Sequence, residues 1–295
     1  MTAKLIEGNA VAEAIRKDLR ERISDLSKKG VRPGLAVIMV GDDPGSAVYV
    51  RMKEKECIDL GMRSKTIRLP ADTSEAKLLG LIDELNADKL IHGLLVQMPV
   101  PKHIDPRKVI MRISPEKDVD GFHPVNVGKM LIGETDGFLP CTPHGIQVLM
   151  ERHGIETSGR HVVICGRSNI VGKPMAALLM QKGKCADATV TVCHSRTRDM
   201  PSITRQADIL IVAMGAPNFI KADMVKEGAV VIDVGMNRVA DDTSPKGYRL
   251  VGDVDFEAVS KKASAITPVP GGVGIMTRII LMVNTVTAAE RAKGG

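Results

Sequence analysis

Short aliphatic runs alternate with helix-period stretches along almost the whole chain, and this alternation constrains the fold more than any other feature. Strands are predicted at "LAVIMVG" (35–41), "SKTIRL" (64–69) and "IHGLLVQMP" (91–99). They recur at "HVVICG" (161–166), "ATVTVC" (188–193), "DILIVAMG" (208–215), "AVVIDVG" (229–235) and "ASAITPV" (263–269). Helical periodicity fills 10–29, 44–60, 74–87, 143–153, 172–182, 221–227 and 275–292. Strands that alternate with helices pair in parallel through right-handed crossovers, so the chain reads as α/β, built of βαβ units in doubly wound sheets. Such strands are covered on both faces, which explains runs that are apolar throughout rather than at every second residue. Aromatic residues make up only 2%, so the cores must come from Val, Ile, Leu, Ala and the 16 methionines.

At 295 residues the chain is long enough for two domains, each with its own core. The stretch 111–142 has no strong period and is dense in Pro, Gly and Asp, and reads as the connection between two α/β domains flanking a cleft. The first domain is then 1–139 plus 275–295, with the last helix folding back onto it. The second, 140–274, is a Rossmann-like doubly wound parallel sheet. "VADDTSPKGYRL" (239–250) reads as a surface hairpin.

No apolar run approaches the ~20 residues that cross a bilayer. The N-terminus reads as a short strand and an amphipathic helix rather than a signal peptide, so a cytoplasmic protein without a membrane partner is expected. Five cysteines (57, 141, 165, 185, 193) form no C-x-x-C pair and no spacing with histidine, which argues for reduced, buried thiols and no metal site. The net charge of +6 suits an anionic small molecule, but without aromatics there is no base-stacking platform, and nucleic acid is not an expected partner.

"HVVICGRSNIVGKPMAALLM" is a strand, a glycine turn and an apolar-periodic helix. The strict G-x-G-x-x-G spelling is absent, yet Gly166 ends the strand and Gly172 opens the helix. Backbone N–H groups at the helix start would face a pyrophosphate, and glycine lets the backbone approach it; a plain βα turn is the competing reading. The next strand ends in His194, Ser195 and Arg196 where an NAD site usually carries a carboxylate. A hydroxyl and a guanidinium suit a 2′-phosphate, with Arg167 as a second positive group, so NADP is expected over NAD. Candidate cofactor residues are Gly166, Arg167, Ser168, Ile170, Gly172, Ser195 and Arg196, with Gly235 and Met236 from "DVGMN".

Tyr49 and Lys53 stand one helical turn apart, a spacing that puts both side chains on one face. A solvated helix face is the bland reading. The same Tyr-x-x-x-Lys spacing is the catalytic pair of short-chain dehydrogenases, but there it follows the cofactor glycines within one domain. Here it precedes Gly166 by more than a hundred residues, so that reading fails on order.

"GDDPGSAVYVRMKEKEC", "GLLVQMPVP", "PEKDVDGFHPVNVG", "LPCTPHG", "GRSNIVGKP", "VTVCHSRT", "DVGMN", "GDVDF" and "TPVPGGVGIMT" occur in this order. Together they resemble the bifunctional methylenetetrahydrofolate dehydrogenase/methenyltetrahydrofolate cyclohydrolase family, from about residue 35 to 285. The resemblance implies that Tyr49 lies against the pterin, Lys53 at the reacting carbon, and Gln97 holds and tunes the lysine. Water must add to a cationic amidinium-like carbon, and a lysine helps only while neutral, a form that burial favours. Asp120 matches the aspartate that grips the pterin, whose aminopyrimidinone edge presents donors to a carboxylate. Asp118 is read as a turn residue with Lys117 as its ion-pair partner, and Ser46 as either a support for the lysine or ligand or a local helix cap. Pro270 and Gly271, in "TPVPGGVG", are assigned to the substrate.

The dehydrogenase half needs no acid or base, because a methylene bridge between two nitrogens expels hydride directly and the protein mainly orients the reactants. A homodimer built through the cofactor domain is implied, as is a role in purine biosynthesis. One departure is visible: the family usually has proline where this chain has Ile275, and Arg278 follows among apolar neighbours. Both bear on pocket shape rather than on the reaction. His92, His103, His123, His144, His153 and His161 show no partner pattern, with His123 and His144 in cleft-facing motifs. The alternatives are a dehydrogenase without the hydrolytic half, a non-catalytic NADP-binding protein and, last, a nucleic acid binder.

Overall fold

A computed structural model describes residues 2–244 and 247–293. Along the chain the first strands are β1 (Lys4–Leu5), β2 (Gly34–Val40), β3 (Arg63–Leu69) and β4 (Gly93–Val96). They are followed by β5 (His161–Cys165), β6 (Thr189–Cys193), β7 (Ile209–Val212), β8 (Val230–Asp233), β9 (Asn237–Ala240), β10 (Tyr248–Val251) and β11 (Ala265–Ile266). The helices begin with α1 (Gly8–Lys28), α2 (Pro44–Asp59), α3 (Glu75–Ala87), α4 (Pro106–Arg112) and α5 (Pro124–Ile132). Then come α6 (Cys141–Arg152), α7 (Gly172–Leu179), α8 (Met200–Thr204), α9 (Phe256–Val259) and α10 (Val273–Lys293). Two compact units result, one of Met1–Glu13 with Thr142–Thr277 and one of Ala14–Cys141 with Arg278–Gly295.

The second of these units holds a three-stranded sheet in the order β3–β2–β4, parallel throughout. β2, GLAVIMV, is buried at all its residues, as a middle strand covered on both faces must be, while the edge strand β3 keeps its arginines at the surface. Ser74 caps α3 through the Lys77 N–H, and the helix then buries Leu78, Ile82 and Leu85 at i, i+4 and i+7 among Ala36, Ile38, Leu94 and Val96. Each such side chain contributes about 1.5–3 kcal/mol by leaving water. β4 stops at Val96, and the Gln97 N–H donates to the Ile38 carbonyl at 2.8 Å. The Gln97 side chain is thus set at the carboxyl end of the sheet.

The other unit holds six parallel strands in the order β1–β11–β8–β7–β5–β6. From β5 the chain goes out to β6 on one side and through β7, β8 and β11 on the other. The order reverses beside β5, so the switch point lies at the carboxyl ends of β5 and β7, where open α/β sheets bind ligands. Residues 1–13 belong to this unit and not, as expected, with 14–139. Lys4 and Leu5 pair with Ala265 and Ile266, and the Gly8 N–H donates to the Gly271 carbonyl at 2.8 Å.

Three further expectations are corrected. Residues 221–227 supply only a 3₁₀ turn, Ala222–Met224, before Gly228 takes a left-handed turn. The last helix starts at Val273, so Ile275 is its third residue rather than its first. A Cβ on Gly8 would collide with Ile275 Cγ2, so Gly8 leaves the room that this side chain fills. By length and composition Val273–Ala292 also has the character of a membrane-crossing helix, which the absence of any ~20-residue apolar run did not anticipate; 61% of that stretch is buried inside the protein. The hairpin is present as β9 and β10, antiparallel, with Arg238 stacked 4.8 Å from the centre of the Tyr248 ring; Pro245 and Lys246 at its tip lie outside the described residues.

Candidate functional site

In the three-stranded unit, α2 is started by Asp43, whose carboxylate accepts the Ser46 N–H at 2.7 Å, with Pro44 at the first helical position. The helix buries Ser46, Val50, Lys53, Glu56 and Cys57 along one face. Lys53 is only 9% exposed, and its Nζ donates to Gln97 Oε1 at 3.1 Å, its hydrogen-bond partner among the described residues. Gln97 Nε2 donates in turn to the Met98 carbonyl at 2.9 Å, which turns the amide oxygen toward the lysine. Ser46 Oγ reaches the same carbonyl at 3.5 Å and does not cap the helix. Glu56, about one turn beyond Lys53 on the buried face, is held by Arg16 through a bidentate pair at 2.6 and 3.2 Å. The acid on this face is therefore already paired, and Lys53 faces an uncharged amide. Tyr49, one turn before Lys53, stays half-buried on the flank.

Asp120 comes to the same neighbourhood on the turn that follows Asp118. Gly121 has φ +75°, and a Cβ there would lie 2.6 Å from backbone atoms of Leu139 and Pro140, so the turn after Asp120 requires glycine. Asp120 lines a small cavity with Met98 and Phe122. The buried Cys141 thiol registers both groups: burial first, then the Asp120 charge, pushes it well above the usual range, and Lys53 opposes this. Lys53 and Gln97 are joined directly, and Asp120 lines the cavity beside Met98, to whose carbonyl Gln97 is anchored.

Asp118 does not pair with Lys117. Its carboxylate accepts the N–H groups of Phe122 (3.2 Å) and His123 (2.8 Å) and the Asn126 amide (2.8 Å), while Lys117 donates to the Leu85 and Asp88 carbonyls. Burial pushes Asp118 up to about 6 despite these donors. His123 caps α5 by accepting the Val125 N–H at Nδ1. His144 Nδ1 is buried without a hydrogen-bond partner, and burial lowers its pKa.

In the six-stranded unit, Gly166 has φ +131°, and a Cβ there would collide with the Ala213 carbonyl oxygen across the switch point. A Cβ on Gly172 would collide with the Gly166 carbonyl. The two glycines therefore bring strand end, turn and helix start together and leave a cradle there. Ser168 Oγ accepts the Val171 N–H at 3.1 Å and lies 3.5 Å from the Gly172 nitrogen, closing the turn from beneath. The next strand ends in a tight turn in which His194 N–H donates to Thr197 Oγ1 and His194 Nδ1 accepts the Arg196 N–H. Ser195, Arg196 and Arg167 are exposed, and the ion pairs among the described residues do not include either arginine. Free cations and a hydroxyl beside a glycine cradle fit a phosphorylated dinucleotide. Ile170 (53% exposed) and Met236 (37%) add apolar surface to the same unit. Pro270 and Gly271 form a turn before α10, with Gly271 at φ +113° and its carbonyl taken by Gly8.

Two residues escaped the sequence reading, Asp233, which ends β8, and Asp253, two residues after β10; both are buried. The signal was present: an aspartate closing the apolar run "VVID" has no water to face and must find N–H donors.

The tetrahydrofolate dehydrogenase/cyclohydrolase catalytic domain matches residues 6–120, and the NAD(P)-binding domain of the same enzymes matches residues 140–293. The chain is 56% identical over 292 residues to the bifunctional protein FolD of Chlorobium luteolum, covering 98% of this chain and 99% of that one. It is 55% identical to the FolD protein of Moorella thermoacetica, over 99% and 100% of the two chains. Among solved structures, FolD of Campylobacter jejuni superposes with a TM-score of 0.92 at 47% identity, over 98% and 99% of the chains. The Trypanosoma brucei dehydrogenase-cyclohydrolase, complexed with NADP cofactor and an inhibitor, gives 0.95 at 42% identity over all of both chains.

Proposed function

The chain belongs to the tetrahydrofolate dehydrogenase/cyclohydrolase family, and we propose that Lys53, Gln97, Asp120 and Tyr49 carry its hydrolytic chemistry. It oxidises 5,10-methylenetetrahydrofolate with NADP and hydrolyses the methenyl product to 10-formyltetrahydrofolate. The observation that carries the residue roles is the Lys53–Gln97 hydrogen bond on a buried helix face. Water adds to the methenyl carbon and loses a proton; Lys53 in its neutral form takes it. The carbon–N5 bond of the adduct then breaks with its electron pair going to N5, which takes the proton from the same lysine, while the carbinol hydroxyl gives its proton to water as the C=O forms; the formyl group stays on N10. Gln97 holds Nζ in place by an amide oxygen without adding charge. Asp120 accepts from the aminopyrimidinone edge, Tyr49 packs on the pterin, and Ser46 supports the Met98 carbonyl to which Gln97 is anchored. Pro270 and Gly271 contribute to substrate contact.

For the oxidative half, Gly166, Ser168, Ile170 and Gly172 would hold the pyrophosphate side of NADP, and Arg167, Ser195 and Arg196 its 2′-phosphate. Gly235 and Met236 would lie along the nicotinamide side. NADP, when bound, accepts the hydride that the methylene carbon releases. No side chain is needed to move a proton in that step, so this unit's residues bind and orient only. The family relationship supports a cytoplasmic homodimer joined through the six-stranded unit and a supply of formyl groups to purine biosynthesis. Absorbance spectra with methylenetetrahydrofolate test the reading: NADP-dependent reduction without lasting methenyl absorbance supports it. Accumulating methenyl would leave a dehydrogenase alone, and no turnover with NADP or NAD a non-catalytic nucleotide binder.

A further inference from the structure

The switch point has two walls, and only one of them is the glycine turn. The other is Met214–Gly215–Ala216, the turn that leaves β7. Its three consecutive N–H groups all converge on one carboxylate. Asp253 Oδ2 accepts from Met214 at 2.6 Å and Gly215 at 2.9 Å, and Oδ1 accepts from Ala216 at 2.9 Å. Oδ1 also accepts from Asn237 Nδ2 at 2.8 Å, which ties in the residue after Met236. Asp253 is itself held by Asp233, whose carboxylate accepts the N–H groups of Gly235 (2.9 Å), Asp253 (2.9 Å) and Val254 (3.0 Å). Space enforces the arrangement: a Cβ on Gly252 would collide with the Asp233 carboxylate, and one on Gly235 with Asp253.

We propose that Asp253 is a positioning residue for the cofactor: by gathering the Met214–Ala216 amides and Asn237 it fixes the second wall of the switch-point crevice, and Asp233 fixes Asp253. This rests on the reading of the six-stranded unit as the NADP site. The chemistry requires a carboxylate and not an amide. Each oxygen of Asp253 takes two donors, so asparagine in either orientation turns an NH₂ group against two of them and loses half of the set. The hydrolytic residues lie in the other unit, which provides an internal control.

The test is NADPH titration by cofactor fluorescence on wild type, Asp253→Asn and Asn237→Ala, with cyclohydrolase assays and hydrogen exchange on the same samples. For Asp253→Asn we expect at least a tenfold rise in the NADPH Kd and in the KM for NADP, and faster exchange at Met214–Ala216 in the cofactor-free protein. Cyclohydrolase kcat/KM should stay within twofold of wild type. Asn237→Ala removes one donor and leaves the carboxylate satisfied by the rest, so a rise of a few fold is expected; it decides the matter if Asp253→Asn fails to fold. Unchanged Kd in the folded variants, or both activities falling in parallel, would overturn the proposal. A wild type that does not bind NADPH would instead overturn the NADP reading.

Discussion

At the residue scale, the site depends on how each polar group is partnered. Lys53 has an amide as its neighbour, and Gln97→Ala removes both that acceptor and the donor to Met98. A hydrogen bond to a charged group is worth about 1.5–3 kcal/mol, so we expect cyclohydrolase kcat/KM to fall roughly 10–100-fold while NADP-dependent oxidation persists; steady-state assays of both activities check it. Asp118 gives a pH prediction. Its carboxyl is raised to about 6 by burial, whereas an unfolded aspartate titrates at 3.8. Between those values the folded state binds the extra proton, so this group opposes folding above pH 6 and relaxes that penalty as pH falls. Comparing pH 5 with pH 7, it should add about 1 kcal/mol of stability. Urea midpoints of wild type and Asp118→Asn at the two pH values test this: the wild type should gain on the variant at pH 5, and parallel pH dependence would contradict it.

At the element scale, what sequence reveals follows from how local the cause is. β2 and β5 were legible because a parallel strand buried on both faces must be apolar at every position. α2 was legible with its Lys53 because Asp43 and Pro44 mark its start. Two short helices went unread, α4 leading into the 111–142 stretch and α5 within it. Their signals were caps rather than period: Asp105 and Pro106, His123 and Pro124, and a left-handed Gly133 closing α5. The pairing of β1 with β11 has no local cause, so residues 1–13 were misplaced. The role of Asp253 has no local signal in "GDVDF", because its four donors come from segments far from it in sequence. Gly121 carries a prediction at this scale. Gly121→Ala places a Cβ against the Leu139–Pro140 backbone at positive φ, costing about 2–4 kcal/mol from the left-handed backbone and overpacking. Denaturant unfolding should show that loss, and the displaced Asp120 should weaken substrate KM; a variant as stable as wild type would refute the turn argument.

At the scale of the whole molecule, the residues proposed for proton transfer and those proposed to hold the cofactor lie in different units, which should make the two activities separable by single changes. Arg196→Gln removes one exposed cation assigned to the 2′-phosphate. It should lower the preference for NADP over NAD by about tenfold, the size of one lost charge-assisted contact, with cyclohydrolase unaltered; comparing kcat/KM for the two cofactors reads it directly. The most direct measurement is the course of absorbance when Lys53→Met is given methylenetetrahydrofolate and NADP. The variant should reduce NADP and accumulate the methenyl compound, with hydrolysis down by a factor of about 10² or more. If it instead clears methenyl as fast as the wild type, the role given to Lys53, and with it the account of the hydrolytic site, is wrong.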